Sequence, residues 1–247
     1  MSSRWHEDYE RGRPGYPPSA VRVIPASRFP SLLELGAGTG KLTRLLLHDH
    51  NEVFALEPDP EMRRWLTAAC PDTAVIAATA EAIPLADQSV DAVCSAEAFH
   101  WFAHERALRE AARVMRPDGR LVLMWNRPAG QVEPPITAVE LLLEPLWPDG
   151  IAMPLDLDPR RFEYARDWPN AFEGSGFEPL RETRLPNMHV VDRDGLVAFF
   201  GSMGWIGSLP DGDRTRLLDD VKSRLSHTEY RMPFETCVYW TQIAHGA

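Results

Sequence analysis

A doubly wound, mostly parallel α/β sheet is the fold class this sequence predicts, and three observations predict it. Short apolar runs rich in Val, Leu and Ala alternate with amphipathic stretches of about ten residues through positions 31–126. The first apolar run leads directly into three alternating glycines, Gly36, Gly38 and Gly40, which open the next amphipathic stretch. At 247 residues and 44% hydrophobic, the chain is long enough for one large α/β domain carrying insertions.

The elements follow in order. "SLLEL" (31–35) reads as a short buried strand, and "GKLTRLLLHD" (40–49) as a helix with Leu42, Leu45 and Leu46 on one face. "EVFALE" (52–57) is a second strand. In "PEMRRWLTAAC" (60–70), Met62, Trp65, Leu66 and Ala69 recur at helical spacing. "TAVIAA" (73–78) and "SVDAVCSA" (89–96) are the third and fourth strands. "HERALREAARVM" (104–115) turns Leu108, Ala111, Val114 and Met115 inward, "PDG" (117–119) is a turn, and "RLVLMWN" (120–126) is a fifth strand.

The second half is less regular. Residues 127–160 hold seven of the 22 prolines, with one helical patch near 136–147, the composition of an insertion rather than of a sheet element. "RFEYARDWPNAFEGSGF" (161–177) reads as a helix ending near Gly174 and Gly176, and "EPLRETRLP" (178–186) as a strand. "DGLVAFFGSMGW" (194–205) and "DRTRLLDDVKSRL" (213–225) read as helices, and "ETCVYWTQIA" (235–244) as a closing strand. The expected organisation is a single domain. It has an N-terminal arm or lid (1–30), a ligand-binding core (31–126), two cap insertions (127–160 and 187–232), and the remaining sheet elements (161–186 and 233–247).

Composition narrows the function. A formal net charge of −10 with no basic stripe argues against a nucleic-acid partner, because phosphate contacts supply most of that affinity. Cys70, Cys94 and Cys237 are odd in number, far apart and form no C-x-x-C, the usage of reduced buried thiols in a cytoplasmic protein. The start of the chain is polar, and no run approaches the ~18 apolar residues of a membrane span, so neither a signal peptide nor a membrane partner is expected. No metal is expected: His48 and His50 are too few, and no metal-ligand spacing appears elsewhere.

The glycine loop and an acid form the candidate ligand site. Gly36, Ala37, Gly38, Thr39 and Gly40 permit a tight strand-to-helix turn and close approach of a ligand to the backbone. Glu57, at the end of the second strand and 17 residues after Gly40, is placed to accept hydrogen bonds from ribose hydroxyls. An acid at a strand end lies outside the core, so its removal is expected to weaken ligand binding and spare the fold. The spacing is G-A-G-T-G rather than the G-x-G-x-x-G of dinucleotide binders, and Glu34 precedes it. An acid there repels a pyrophosphate and suits an ammonium or sulfonium ion.

At these residues the sequence resembles a known family. "LLELGAGTGKLT" with "ALEPDPEM" is similar to motifs I and II of the class I methyltransferases that use S-adenosylmethionine, of the small-molecule, type 11-like subgroup. "ATAEAIPLADQSVDAV" (78–93), "AFHWF" (98–102) and "EAARVMRPDGRLVLMWN" (110–126) continue the resemblance in order, so it covers 31–126 densely. "YERGRPGYP" (9–17) and "SGFEPL" (175–180) also resemble the subgroup related to trans-aconitate methyltransferases. The resemblance implies a Rossmann-like sheet of seven strands, the last antiparallel, and S-adenosyl-L-methionine as cofactor. It implies that Gly36 to Gly40 pass under the methionine part and ribose, and that Glu57 takes the ribose hydroxyls. Pro58 and Met62 would lie against the adenine, Ala80 and Glu81 would flank its amino group, and Ala96 and Glu97 would lie near the methionine end.

Methyl transfer from a sulfonium asks chiefly for an acceptor held in line, about 3–3.5 Å from the methyl, in a dry pocket. A base is needed only for an acceptor protonated at working pH. His100 is the ionisable residue suited to that role, with an ordinary pKa of about 6.5; the other reading has it orient its loop and pack with Trp101. Arg11, Arg13 and Tyr16 in "RGRPGYP" would meet an acidic substrate, with Trp101 as pocket wall. The apolar residues of "LLLEPLWPDGIAM" and "VAFFGSMGWIGSLP" either wall an acceptor pocket or form the cap's own core. The expected activity is methylation of a small organic acceptor on oxygen or nitrogen, a carboxylate being favoured. A NAD-linked Rossmann oxidoreductase and a catalytically silent cofactor-binding module are the alternatives. The oligomeric state is not readable from the sequence.

Overall fold

The computed structural model describes residues 3–102, 105–146 and 168–244. The chain divides into two compact units. The sheet unit takes Tyr16–Asn126, Tyr164–Leu185 and Thr236–Ala247, and the helical unit takes Met1–Gly15, Arg127–Glu163 and Pro186–Glu235.

In the sheet unit, β1 (Ser31–Leu35), β2 (Glu52–Leu56), β3 (Ala74–Ile76) and β4 (Val90–Ala96) alternate with α2 (Lys41–Leu46) and α3 (Pro60–Ala69), and α4 (Glu105–Val114) precedes β5 (Met115–Pro128). With β6 (Arg181–Asp192) and β7 (Glu229–Gln242), the strands form one seven-stranded sheet in the order β3-β2-β1-β4-β5-β7-β6. The β1–β2, β1–β4, β2–β3 and β4–β5 pairs are parallel, with Leu33 opposite both Phe54 and Val93. Phe177 and Ile243, just outside β6 and β7, form an antiparallel bridge. The strand order reverses between β1 and β4, and in such sheets ligands bind beyond the carboxyl ends of the strands at that point. Gly36 and Glu97 are the residues that leave those two ends.

Alternation along the strands loads both faces of the sheet. Leu33, Leu35, Val93, Leu121 and Leu123 join Leu108, Ala111 and Val114 of α4 in one core. Leu32, Cys94, Val122 and Met124 join Leu42 and Leu46 of α2 in another. Strands buried on both faces read as near-continuous apolar runs, the pattern the sequence shows. All three cysteines are buried, and none is in a disulfide.

The helical unit contains α1 (Ser3–Gly12), α5 (Pro134–Leu143), α6 (Arg193–Gly201), α7 (Gly204–Gly207) and α8 (Asp211–Arg224). Its core gathers Ile136, Val139 and Leu143 with Leu196, Phe199, Phe200, Met203, Ile206, Leu217 and Val221. Arg214, 5% exposed, pairs with Asp8 of α1.

Several boundaries differ from expectation. Residues 3–12 of the predicted arm form α1, and Trp5 Nε1–H donates to the carbonyl of Ser202, the residue that closes α6, at 3.0 Å. The expected Pro-Asp-Gly turn is an irregularity within β5: Val90 pairs with Met115 and Ala92 already with Arg120. β6 runs on to Asp192 and β7 begins at Glu229, so strand pairing claims residues the sequence assigns to a cap. Of the helix expected over 161–177, residues 161–167 lie outside the described residues; Trp168–Phe172 forms a 3-10 turn. Residues 147–153 of the first predicted pocket segment also lie outside the described residues.

Candidate functional site

The loop after β1 is held by the strand beside it. Gly36 and Ala37 both donate their N–H to the Leu56 carbonyl, at 2.9 and 3.1 Å, and Gly40 donates to Ala37 at 2.9 Å. Gly38 N–H donates to Glu57 Oε2 at 2.8 Å. Four of the five loop N–H groups are thus satisfied by the protein itself. A phosphate cradle needs such groups aimed at the ligand, so this loop is not built to hold a pyrophosphate.

Two glycines show what the loop needs. Gly36, at φ 66°, lies so close to the segment after β4 that a Cβ there would come within 2.6 Å of Ala98 Cβ. Gly38, at φ 58°, has nothing within 4 Å of where its Cβ would lie. The first glycine joins the β1 loop to the β4 loop; the second leaves open space over the backbone. The Thr39 hydroxyl, in a side chain 1% exposed, has no protein partner. Open space over Gly38 beside an unpartnered buried hydroxyl fits a ligand lying along this loop.

Glu57 is 7% exposed, and its oxygens accept from Gly38 N–H and, at 2.9 Å, from Asp59 N–H. Burial raises its pKa, and the Asp59 and Gly38 donors oppose that shift. Each oxygen has a second lone pair for a ribose hydroxyl. The turn that follows is fixed by Arg63, whose guanidinium donates to the Glu57 and Pro58 carbonyls at 2.8 and 2.6 Å. Asp59 caps α3 by accepting from Glu61 and Met62, with Pro60 at the first helical position. This cap places Met62, 7% exposed, on the first turn, while Pro58 is exposed. The Asp59-Pro60 pair is the sequence signal for the cap.

Glu34 corrects the electrostatic expectation. It is 1% exposed beneath the loop, Thr43 Oγ1 donates to it at 2.6 Å, and burial pushes its carboxyl up to about 8. Near neutral pH it is mostly an uncharged acid, so the self-satisfied N–H groups, rather than a negative charge on Glu34, tell against a pyrophosphate.

Beyond β4, Ala96 is 9% exposed and Glu97 adopts φ 53°, a left-handed conformation that costs a non-glycine residue roughly 1–3 kcal/mol. Two bonds hold it: Glu97 N–H donates to Met124 at 2.9 Å, and Glu97 Oε1 accepts from Asn126 N–H at 2.6 Å. Asn126 Oδ1 accepts in turn from Thr236 Oγ1 at 2.5 Å. These partners went unseen in the sequence because no local pattern encodes them. His100 is half-buried; Trp125 Nε1–H donates to its Nδ1 at 3.5 Å, and burial lowers its pKa to about 4. Trp101 is 78% exposed and tilts against the His100 ring at 5.0 Å. Ala80, 3% exposed, and Glu81 occupy the turn after β3.

The three arm residues are placed differently. Arg11 and Arg13 belong to the helical unit and Tyr16 to the sheet unit. Arg11 pairs with Asp192 at 3.2 Å and reaches Asp194 at 3.9 Å. Arg13 donates to Ser202 Oγ at 2.8 Å. An acidic substrate would compete with these partners. Tyr16 packs against the core that holds Leu32 and Leu42. Phe199, Phe200, Met203 and Ile206 of the second predicted pocket segment form the helical unit's own core, the second of the two readings offered above. Among the described residues no cluster of three or more His, Cys, Asp or Glu is arranged to hold a metal, and no helix is long and apolar enough to cross a membrane.

Comparison with known proteins gives this geometry a family. Residues 33–123 match the family described as a methyltransferase domain. An uncharacterized methyltransferase-like protein of Schizosaccharomyces pombe is 32% identical over 238 residues, covering 93% of this chain and 89% of that protein. An uncharacterized methyltransferase of Mycobacterium tuberculosis is 52% identical over 118 residues, 48% of this chain and 49% of its own length, so the chain spans about half of that relative. A solved structure from Anaeromyxobacter dehalogenans, provisionally assigned as a type II methyltransferase, shares the fold with a TM-score of 0.64 at 22% identity, covering 94% of this chain and 98% of that one. The matched span contains the clasped glycine loop, Glu57 and the β4 end. The chain belongs to the class I methyltransferase family, whose cofactor is S-adenosylmethionine.

Proposed function

We propose that the protein methylates a small organic acceptor with S-adenosylmethionine, on oxygen or nitrogen, with a carboxylate preferred. One observation carries the cofactor placement: the glycine loop satisfies its own N–H groups, through Glu57 and Leu56, and leaves open space above Gly38. That surface suits a nucleoside bearing a sulfonium, and family membership sets the NAD-linked reading aside. In this reading Gly36 to Gly40 underlie the methionine and ribose, and Glu57 binds the ribose hydroxyls. Pro58 and Met62 face the adenine, Ala80 and Glu81 flank its amino group, and Ala96 and Glu97 border the methionine end.

The acceptor assignment rests on His100. A ring held near pKa 4, with Nδ1 accepting from Trp125, is a poor base for a phenol or ammonium at neutral pH. An acceptor that arrives ionised needs no base. The cofactor supplies an electrophilic methyl on a good leaving group. A carboxylate oxygen would take the methyl from sulfur, which would keep the bonding electron pair, and no proton would move, so no residue of this chain would have to act as a base. His100 and Trp101 then shape and dry the pocket rather than titrate. A net charge of −10 without a basic stripe supports a free small molecule over a nucleic acid.

The test follows S-adenosylhomocysteine formation against panels of carboxylic acids, phenols and amines. The expected result is turnover of a carboxylic acid, with kcat at saturating cofactor flat from pH 6 to 9. Turnover confined to phenols or amines and lost in His100→Ala would overturn the acceptor assignment. Cofactor binding with no turnover in any class would point to a silent binding module.

A further inference from the structure

The segment from Glu81 to Ser89, which leads from the turn after β3 into β4, has no secondary structure of its own. Its shape is imposed by one face of α4. Arg106, Glu110 and Arg113 lie at i, i+4 and i+7, so they share that face. Arg106 Nε donates to the Glu81 carbonyl at 2.9 Å. Glu110 Oε2 accepts from Ile83 N–H at 2.9 Å. Arg113 Nη2 donates to the Ile83 carbonyl at 2.8 Å, and its Nη1 to the Leu85 carbonyl at 2.9 Å and to Asp87 at 2.7 Å. Arg113 is itself aligned by a forked pair with Glu110, both bonds at 2.8 Å. Gln88 and Ser89 complete the seam, donating backbone N–H to the Arg113 and Val114 carbonyls at 2.9 and 2.8 Å.

A depression of about 490 Å³ opens between Glu81–Ala82 and Arg106, Glu110 and Arg113. On that side the Glu81 turn is held by hydrogen bonds to its backbone. Apart from the Arg113–Asp87 pair, these bonds fall on backbone groups, the carbonyls of Glu81, Ile83 and Leu85 and the N–H of Ile83, so they fix where the turn lies whatever its side chains are. Bidentate arginine contacts are among the most geometrically exacting in proteins.

We propose that Arg106, together with Arg113 as aligned by Glu110, acts as a positioning residue that sets adenine recognition by fixing the Ala80–Glu81 turn without touching the cofactor. This rests on the assignment of Ala80 and Glu81 to the adenine amino group made above. The seam would hold the turn close enough to read an amino group and reject a carbonyl oxygen in its place. Removing one fastener should loosen that discrimination while leaving the ribose and methionine contacts intact.

The test compares S-adenosylhomocysteine with S-inosylhomocysteine, which carries oxygen in place of the adenine amino group, by calorimetry on the full chain. Wild type is expected to prefer the adenosyl ligand at least tenfold. In Arg113→Lys, one ammonium keeps the charge beside Glu110 and Asp87 but cannot span the carbonyls, and the preference should fall about tenfold. The cofactor KM should rise by a similar factor, with kcat within twofold. Arg106→Ala, at an exposed side chain, should shift the preference in the same direction by a smaller factor and covers the case in which the Arg113 variant fails to fold. A folded variant that keeps the wild-type preference, or weakens both ligands equally, overturns the proposal. A wild type with no preference overturns the adenine assignment and this proposal with it.

Discussion

Replacing Glu57 separates its two roles. The sequence places it outside the core and expects its loss to spare the fold, but the structure buries it to 7% exposure and hangs two backbone N–H groups on it, Gly38 at 2.8 Å and Asp59 at 2.9 Å. A hydrogen bond to a charged acceptor contributes roughly 1.5–3 kcal/mol. Glu57→Ala removes both, an upper limit of about 3–6 kcal/mol, and water entering the space left behind recovers part of it. A net loss of about 2–4 kcal/mol lowers the melting temperature by roughly 5–15 °C at this chain length. Glu57→Gln keeps one acceptor oxygen and turns an amide N–H₂ toward a backbone N–H, so it falls between wild type and alanine. The same carboxylate is the proposed ribose acceptor, and losing one such bond corresponds to about 10- to 150-fold in affinity. Calorimetric titration with S-adenosylhomocysteine, beside thermal melts of the unliganded protein, reads both effects. An alanine variant that melts with wild type refutes the clasp. One that melts lower yet binds as tightly refutes the ribose assignment and leaves Glu57 as a loop fastener only.

Other outcomes follow from the same geometry. Gly38→Ala has room for its methyl group but a strained φ of 58°, so melting should fall only slightly while S-adenosylhomocysteine affinity drops at least tenfold; Gly36→Ala, forced against Ala98, should lose several degrees of melting temperature as well. Glu34 has a folded pKa of about 8 against an ordinary 4.5, so its stabilising contribution is fully present below pH 4.5 and is lost as pH rises toward 8. The melting temperature of the unliganded protein should therefore decline from pH 5 to 8, and Glu34→Gln, neutral at every pH, should flatten that decline and melt above wild type at pH 8. Arg214→Met leaves Asp8 without its buried partner and should destabilise by about 3 kcal/mol in denaturant unfolding, whereas Asp8→Asn combined with Arg214→Met should recover part of the loss.

What the sequence revealed, and what it hid, divides along a physical line. β1, β2 and β4 were legible because burial against the sheet faces forces near-continuous apolar runs, and α3 because the helix repeats its apolar positions. The Gly36–Gly40 loop was legible because positive φ selects glycine. α1 was missed although Trp5 and Tyr9 sit one helical turn apart, because its burial comes from distant residues: Gly12 has no room for a side chain against the Phe199 backbone. β6 and β7 were drawn too short because strand length is decided by the neighbour's hydrogen bonds. The apolar residues around Phe199 and Met203 carried no sign of whether they wall a pocket or fill a core, since both uses ask for the same side chains.

Arg113 is the sharpest case of what stayed hidden. Its side chain reads the carbonyls of Ile83 and Leu85, a group every residue carries, so nothing at positions 83 or 85 marks them as its partners. Recognition through the backbone leaves one member of each pair unwritten. The Gly38–Glu57 clasp is half-written in the same way: Glu57 was found by its position and the glycine by its spacing, but the bond that joins them was not. The residues whose roles a sequence reading misjudges at such a site are therefore those that touch the chain's own backbone. Their substitution should move melting temperature and ligand preference together, while a residue that touches only ligand should move affinity alone.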